Sequence, residues 1–253
     1  MRAPVPSRPR RRGFRAASPT ALASGLIVAA AALCGAAPAS AQVGASLTLQ
    51  SDFRYRGRSI SDEKPALTFN LAYDHESGVY LGGDVTAGDT ATGGVRVLRH
   101  VAYAGYAVRP KTGPAFDVGV ANYHVADFRA GKRTFDYNEV YAGLLGDRLS
   151  LRAHYAPDYY ESGVKTLYVD LSGALRPRPD VRLFAHAGVL TRVGGTYNPG
   201  ARYTRYDFSA GVAKQFGDCE ISATWSRYDP SLDPARSRRE KRSALVLAAS
   251  YFF

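Results

Sequence analysis

The chain has 253 residues, of which 45% are hydrophobic and 22% are charged, and its formal net charge is +11. This length allows one large domain or two small ones. Residues 1–41 hold six arginines and no Lys, Asp or Glu, which leaves a net charge of only +5 on the rest of the chain. The basic excess is therefore largely a property of the amino terminus, and this argues against a nucleic-acid-binding protein.

The amino terminus has the organisation of a cleavable export signal. Residues 1–15 are basic, residues 21–36 are apolar, and Ala39-Ser40-Ala41 forms an A-x-A cleavage pattern. We therefore predict a signal peptide over 1–41 and a single mature domain over 42–253. Two variants are possible: a twin-arginine signal at Arg11-Arg12, and a lipoprotein signal at Cys34, which the bulky Leu33 before it disfavours.

The mature region has one cysteine, Cys219, so it forms no internal disulfide. It also has no apolar run of about 18 residues, the length of a transmembrane helix. At the carboxyl terminus, apolar residues alternate from Leu245 to Phe253. This pattern is typical of the last strand of a bacterial outer-membrane barrel, whose terminal aromatic residue is recognised by the barrel-assembly machinery.

Alternation with a period of two recurs along the mature chain and predicts strands that have one apolar face and one polar face. In the first predicted strand, Val43, Leu49, Phe53 and Tyr55 fall on the apolar face. Turn signals divide the chain into twelve such segments: 43–56, 65–74, 79–88, 96–108, 114–126, 134–145, 148–157, 164–176, 181–192, 203–216, 219–228 and 241–253. The faces of 96–108 and 134–145 cannot be assigned from the pattern.

Short connections alternate with longer ones along the chain. The short ones are 75–78, 110–113, 146–147, 177–180 and 217–218, and the longest of the others is 229–240. With an even number of strands, this asymmetry predicts an all-β fold, a transmembrane antiparallel up-and-down β-barrel of about twelve strands. A secreted β-sandwich or a lipocalin-like barrel would show the same alternation with its apolar faces turned inward.

In a membrane barrel, the polar face of each strand lines the interior. The candidates to line the pore are then charged residues on the predicted inner faces: Asp52, Arg54, Arg56, Arg152, Asp170, Arg182, Arg205, Asp207 and Glu220. Arginines slightly outnumber acids in this set, which suggests a weak preference for anions. The five histidines show no metal-ligand spacing, and no cofactor motif occurs, so we predict neither a metal nor a cofactor.

One pair of residues suggests an enzyme. His75 and Ser77 have the spacing used by twelve-stranded outer-membrane phospholipases, but Gly78 stands where those enzymes have an asparagine. Both residues also fall in a predicted tight turn. We therefore predict that the protein is not an enzyme, and keep a lipid hydrolase as the least favoured function.

Three blocks of sequence resemble a known family. Residues 51–83, "SDFRYRGRSISDEKPALTFNLAYDHESGVYLGG", together with "YNEVYAGL" at 137–144 and "YAPDYY" at 155–160, are similar to the TorF-like porins, the Gcw-chp group of proteobacterial outer-membrane proteins. The resemblance implies a β-barrel with a porin-like function, and it assigns no functional residue.

We therefore expect a porin in the cell outer membrane through which small hydrophilic solutes diffuse passively. Its expected partners are outer-membrane lipids, the barrel-assembly machinery at Phe253 and these solutes. Because a twelve-stranded barrel is narrow and bulky inward side chains can fill it, the alternative is a non-conducting structural or adhesion barrel that acts through its outer loops.

Overall fold

The computed structural model describes residues 42–89, 93–127, 133–160, 163–195, 204–229 and 242–253. The predicted signal peptide and most of the loop predicted at 229–240 lie outside these residues. The described residues form fourteen strands: β1 Gln42–Gln50, β2 Arg54–Tyr55, β3 Arg58–Ser59, β4 Ala66–Asp74, β5 Val79–Asp89, β6 Val95–Val108, β7 Ala115–Asp127, β8 Arg133–Leu145, β9 Leu149–Ala156, β10 Lys165–Arg178, β11 Val181–Gly194, β12 Thr204–Phe216, β13 Cys219–Asp229 and β14 Ser243–Phe252. None of the described residues forms a helix that is long and apolar enough to cross a membrane.

Twelve of these strands, β1 and β4–β14, form one closed barrel in which every strand pairs antiparallel with its neighbours. The barrel closes where β1 pairs with β14, with Leu47 opposite Tyr251. Closure leaves no free strand edge, which is the condition for a sheet to span a bilayer. The predicted twelve-stranded, up-and-down antiparallel fold is confirmed. Strands β2 and β3 form a separate two-stranded sheet.

The two faces of the barrel wall differ in the sense expected for a membrane protein. Outward side chains are apolar and exposed, as with Leu71 at 47% and Phe208 at 45% of their full accessible area. Inward side chains are mostly polar and buried, as with Thr86 and Asp117. A soluble barrel would have the opposite arrangement, with its apolar side chains inside.

The predicted first strand, 43–56, is wrong in its second half. Strand β1 ends at Gln50, and the chain then turns inward and forms the β2–β3 hairpin. Phe53 and Tyr55, predicted on the outward apolar face, are 3% and 2% exposed inside the barrel. The alternation along 43–56 therefore joins two elements that have different directions.

A β-bulge explains why the face of 96–108 could not be assigned. The pairing of β5 with β6 shifts register between Thr86 and Ala87, and as a result Leu98 and Arg99 are both buried. A bulge adds one residue to one strand and inverts the alternation beyond it. In 134–145, which has no such shift, Tyr137 and Glu139 are buried and Val140 is exposed.

Short connections join the strands at one end of the barrel, as predicted. Residues 75–78 and 217–218 connect β4 to β5 and β12 to β13, and Gly78 and Gly217 have positive φ angles that suit such turns. The turn predicted at 177–180 is shorter, because β10 continues to Arg178. In bacterial barrels the end with short turns faces the periplasm.

The only tryptophan of the chain gives a direct test of which face meets lipid. Trp225 lies on the outer face of β13 and is 45% exposed. In vesicles we expect its fluorescence to be blue-shifted and quenched by lipids brominated on their acyl chains, because the outer face contacts hydrocarbon. Aqueous iodide should quench it weakly.

The matched control moves the tryptophan to the inner face, in the double variant Trp225→Phe, Phe184→Trp, because Phe184 is buried inside the barrel. Its fluorescence should resist the brominated lipids. Equal quenching of the two proteins by these lipids would contradict the assignment of the faces.

Candidate functional site in the barrel interior

The interior has two unlike walls. Short polar side chains line β14, β1 and β4, where Thr48 bonds Ser250 at 2.9 Å and Thr68 bonds Thr86 of β5 at 2.9 Å. The wall formed by β5–β13 instead carries tyrosines, histidines and charged groups. Any site in the barrel is therefore formed between a wall of small hydroxyl groups and a wall of large ionic and aromatic side chains.

Residues 51–64, which we call the inward hairpin, form a compact unit around the Asp52 carboxylate. Arg54 Nε donates to Asp52 Oδ2 at 2.6 Å, and the Ser59 and Ser61 hydroxyls donate to Oδ1 at 2.5 and 3.2 Å. Asp52 is 4% exposed and Arg54 is fully buried. A buried carboxylate needs several donors to remain charged, and here the hairpin supplies these donors itself.

The tip of the inward hairpin is a tight turn at Arg56 and Gly57, which have φ angles of 48° and 74°. Positive φ at both central positions is the geometry of a two-residue hairpin turn, and it is rare for arginine. A Cβ at Gly57 would lie 2.6 Å from Tyr228 Cβ and 2.7 Å from Asp207 Cβ. The tip therefore packs directly against β12 and β13.

The Arg56 side chain extends from the tip to the far wall of the barrel. Its Nη2 donates to Glu139 Oε1 and Oε2 of β8 at 2.7 and 2.8 Å. Its guanidinium carbon lies 4.1 Å from the ring centroid of Tyr168 on β10. In the barrel order, β8 and β10 lie opposite β1, so the hairpin crosses the interior. Burial would lower the pKa of Arg56, but the Glu139 carboxylate and the nearby tyrosines raise it above its ordinary value, so the guanidinium stays charged.

A cluster of tyrosines surrounds this contact. The Tyr55 hydroxyl bonds the Tyr137 hydroxyl at 2.8 Å, and Tyr123 stacks on Tyr137 with 4.9 Å between ring centroids. Tyr159 and Tyr160, from the connection after β9, stack on each other at 4.4 Å. Tyr159 also meets Tyr137 edge to face at 5.0 Å. The cluster holds the hairpin through aromatic contacts in addition to its ion pair.

Two further ion pairs lie on either side of the hairpin. Arg99 Nη2 donates to Asp84 Oδ1 at 2.7 Å, and the Arg99 guanidinium lies 4.8 Å from the Phe53 ring. Towards the short-turn end, Arg152 Nε donates to Asp117 Oδ2 at 2.8 Å, and the Tyr80 hydroxyl donates to Asp117 Oδ1. Ionic contacts therefore continue along the interior, beyond the level of the hairpin.

Both interior histidines contact carboxylates. His154 lies 3.4 Å from Glu139 and 3.3 Å from Asp170 through its two ring nitrogens. His186 bonds Asp207 at 2.9 Å through Nε2 and Ser172 at 2.9 Å through Nδ1. Ser, His and Asp in contact suggest a hydrolase triad, but Ser172, His186 and Asp207 are only 4%, 5% and 1% exposed. This burial leaves the Ser172 hydroxyl inaccessible in this structure, and the two contacts link the neighbouring strands β10, β11 and β12.

The nine predicted pore-lining residues all lie inside the barrel, but in two different settings. Asp52, Arg54 and Arg56 belong to the inward hairpin, not to a wall strand. The others project inward from wall strands: Arg152, Asp170, Arg182, Arg205, Asp207 and Glu220. Arg56 contacts Glu139, and Arg182 Nη2 donates to Glu220 at 2.9 Å. Partners outside the predicted set, including Asp117 and Tyr159, are also contacted by Arg152, Asp170, Arg205 and Asp207.

Sequence reasoning missed part of this interior. Because of the bulge in β6, the inward position of Arg99 could not be predicted. Asp84 and Asp117 lie on strands whose alternation is regular, so their inward positions could have been assigned. Glu139 lies in 134–145, whose faces could not be assigned, and its pairing with Arg56 joins residues 83 positions apart. No local pattern could have predicted that contact.

The pair that suggested a lipid hydrolase lies in the turn between β4 and β5. Ser77 Oγ and His75 Nδ1 are 2.8 Å apart, both residues are exposed, and the Ser77 backbone N–H also donates to the ring. Within the described part of the chain, Ser77 is the only residue that hydrogen-bonds the His75 ring. The described residues also contain no group of three His, Cys, Asp or Glu side chains that could hold a metal ion.

A closed twelve-stranded barrel with a polar interior defines the class of the protein, which is a porin-like β-barrel. Residues 35–243 match the Gcw_chp family, described as a bacterial protein of unknown function. The chain belongs to the Gcw_chp family. No curated protein matches its sequence.

A solved porin shares the fold. The NanC porin is 10% identical over 83% of this chain and 99% of its own, with a TM-score of 0.51. The KdgM porin is 9% identical over 85% of this chain and 99% of its own, with a TM-score of 0.49. At these identities the likeness is one of fold alone.

The tip of the inward hairpin can be tested with a pair of glycine variants. In Gly57→Ala the new methyl group collides with β12 and β13, whereas in Gly217→Ala it meets nothing within 4 Å. Both positions have positive φ, so both variants carry the same backbone strain. We expect Gly57→Ala to lose about 1–3 kcal/mol more of the free energy of unfolding in vesicles, measured by urea titration. Equal losses would contradict the packing of the tip against the wall.

Proposed function

We propose that the protein is a porin of the outer membrane, of the TorF-like type, through which small hydrophilic solutes diffuse passively. We further propose that the inward hairpin sets the width of the passage. The observation that carries the proposal is the Arg56–Glu139 contact, which holds the hairpin across the interior of a closed barrel.

The distribution of polar groups supports permeation. A barrel that served only as an anchor could be filled with apolar side chains, as small soluble cores are. This interior instead places hydroxyl groups along one wall and ion pairs along the other. Groups of this kind replace the hydration of a polar solute and are typical of the water-facing surface of a porin.

The position of the hairpin supports its role in setting the passage width. Its tip contacts β12 and β13, and its side chains contact β7, β8 and β10. A segment fixed at so many points narrows the interior at one level. Solutes must then pass between the hairpin and the wall of small hydroxyl groups, or the hairpin must move.

The interior charges support a weak charge selectivity. Five arginines among the described inward side chains form ion pairs at 2.6–2.9 Å, namely Arg54, Arg56, Arg99, Arg152 and Arg182. Asp170 and Asp207 are further acids that contact histidines. The arginine excess from which the sequence suggested an anion preference is therefore balanced, and we propose little preference between small ions.

A second function has support from the same interior. The side chains of the hairpin are packed and buried, and a barrel filled in this way can be a non-conducting structural or adhesion barrel that acts through its outer loops. Conductance distinguishes the two functions. The contacts that bury Ser172 and His186, and the exposure of the His75–Ser77 turn, favour either barrel function over a lipid hydrolase.

The proposed location implies two kinds of partner. Outer-membrane lipids would surround the exposed apolar belt, and the assembly machinery would recognise the last strand. Phe253 is 71% exposed and stacks edge to face on Tyr251 at 5.0 Å, which leaves its ring accessible on the outer face. The proposed export of the chain with a cleavable signal over 1–41 agrees with this location.

Planar-bilayer recordings test the pore and the role of the hairpin together. We expect the unmodified mature chain to give small, discrete conductance steps. The double variant Arg56→Ala, Glu139→Ala should conduct about two-fold or more above this level, because it removes the contact across the interior without leaving an unpaired buried charge. The matched control is Arg182→Ala, Glu220→Ala, an ion pair of similar burial that does not contact the hairpin.

Two outcomes would contradict the proposal in different ways. If the unmodified chain and both double variants show no conductance, the barrel is non-conducting and the structural or adhesion function is supported. If both double variants increase the conductance equally, the pore exists but the hairpin does not set its width.

Selectivity is tested separately, by the reversal potential of the unmodified chain under a ten-fold salt gradient. Because most of the described interior arginines are paired with carboxylates, we expect a reversal potential close to zero. A clear anion-selective potential would contradict the proposed balance of positive and negative charges in the interior. It would support the anion preference suggested by the sequence.

A further inference from the structure

The described outer surface of the barrel has a polar area that covers adjacent strands. Counted from the short-turn end, the fourth outward residue is apolar or aromatic on most of the twelve wall strands, for example Leu67 on β4, Val85 on β5 and Trp225 on β13. On the adjacent strands β7 and β8 it is Asn122 and Asn138. Both asparagines are exposed. The two asparagines therefore lie on one side of the barrel, within an outward face that is mostly apolar.

The next outward row extends this polar area. Register places His100, His124 and Asp136 side by side on β6, β7 and β8. We call these three residues together with Asn122 and Asn138 the polar patch. Below the patch the same strands carry apolar side chains, with Val120 opposite Val140.

The side chains of the patch contact one another and leave polar groups unused. Asn122 Nδ2 donates to Asn138 Oδ1 at 2.9 Å, which leaves Asn122 Oδ1 as an acceptor and Asn138 Nδ2 as a donor. The His100 and His124 rings stack with 4.7 Å between centroids, and His124 Nδ1 bonds Asp136. Acyl chains offer no partner to the remaining donors and acceptors, so polar groups facing hydrocarbon are costly.

The chemistry of the patch fits a second copy of itself. It presents amide donors beside amide acceptors, and imidazoles beside a carboxylate, so it is complementary to its own image. It contains no Lys or Arg, whereas a site for lipid phosphates would carry them. The flanking outward residues on β6 and β8, Ala102, Ala104 and Ala142, are small and allow two barrels to approach closely.

We propose that two copies of this protein associate in the membrane through the polar patch, about a two-fold axis along the membrane normal that passes between β7 and β8. In this arrangement the spare Asn138 amide of each copy faces the spare Asn122 oxygen of the other. The inference rests on the membrane location included in the proposed function, but not on permeation.

Cysteine cross-linking of the full mature chain in outer membranes tests this arrangement. In a Cys219→Ser background, Asn138→Cys lies beside the proposed axis and should give a covalent dimer on mild oxidation. The control is Val189→Cys, on the outer face of β11 away from the patch. It should give at least about ten-fold less dimer, because it faces lipid.

A second measurement separates association from cysteine reactivity. By native mass spectrometry in detergent, the unmodified chain should show a mass of two copies. Asn122→Leu, Asn138→Leu should shift the balance roughly ten-fold towards one copy, since each interface loses two hydrogen bonds. Val169→Leu, Val189→Leu is the matched control and should leave the balance unchanged.

The contrary results are distinct from those that concern the pore. A single copy at every concentration, a single copy that retains phosphate-bearing lipid, or equal cross-linking at 138 and 189 would overturn the proposed dimer. None of these results bears on the conductance of the unmodified chain, which tests the pore by itself.

Discussion

The contact between Arg56 and Glu139 is the constraint on which the rest of the interior depends. A guanidinium and a carboxylate that are almost inaccessible to water stabilise each other only if they remain together, because either charge left alone is costly. The pair therefore fixes the distance from the hairpin tip to β8. The surrounding tyrosines and Gly57 at the tip then fill the space around that fixed contact.

The same contact joins the three blocks of sequence that resemble a known family. The first block forms the hairpin, the second provides Tyr137 and Glu139, and the third provides Tyr159 and Tyr160. The first block is distant in the chain from the other two, which lie on the adjacent strands β8 and β9 and in the connection after β9. Their meeting point is the level at which the interior is narrowest in our proposal, so the features that place the chain in its family coincide with the candidate site.

The fold could be predicted because a barrel wall is a local pattern repeated twelve times. Each strand needs only two unlike faces and a turn signal at each end, and both can be identified from adjacent residues. Departures from the pattern could not be predicted. Phe53 and Tyr55 continue the alternation of β1 although they belong to another element, and the bulge near Leu98 inverts the faces of β6 without a marker in the sequence. The charged residues of the site could be predicted, but their ion-pair partners could not, since the pairs form across the interior.

The position of the hairpin in the chain has a consequence for the order of folding. The hairpin directly follows the first strand, yet its contacts are with β7, β8, β10, β12 and β13, which come much later in the chain. Asp52 and Arg54 pair within the hairpin, but Arg56 has no carboxylate partner until β8 is present. Closure of β1 against β14 would then enclose the hairpin. The step that completes the barrel is therefore also the step that fixes the hairpin inside it.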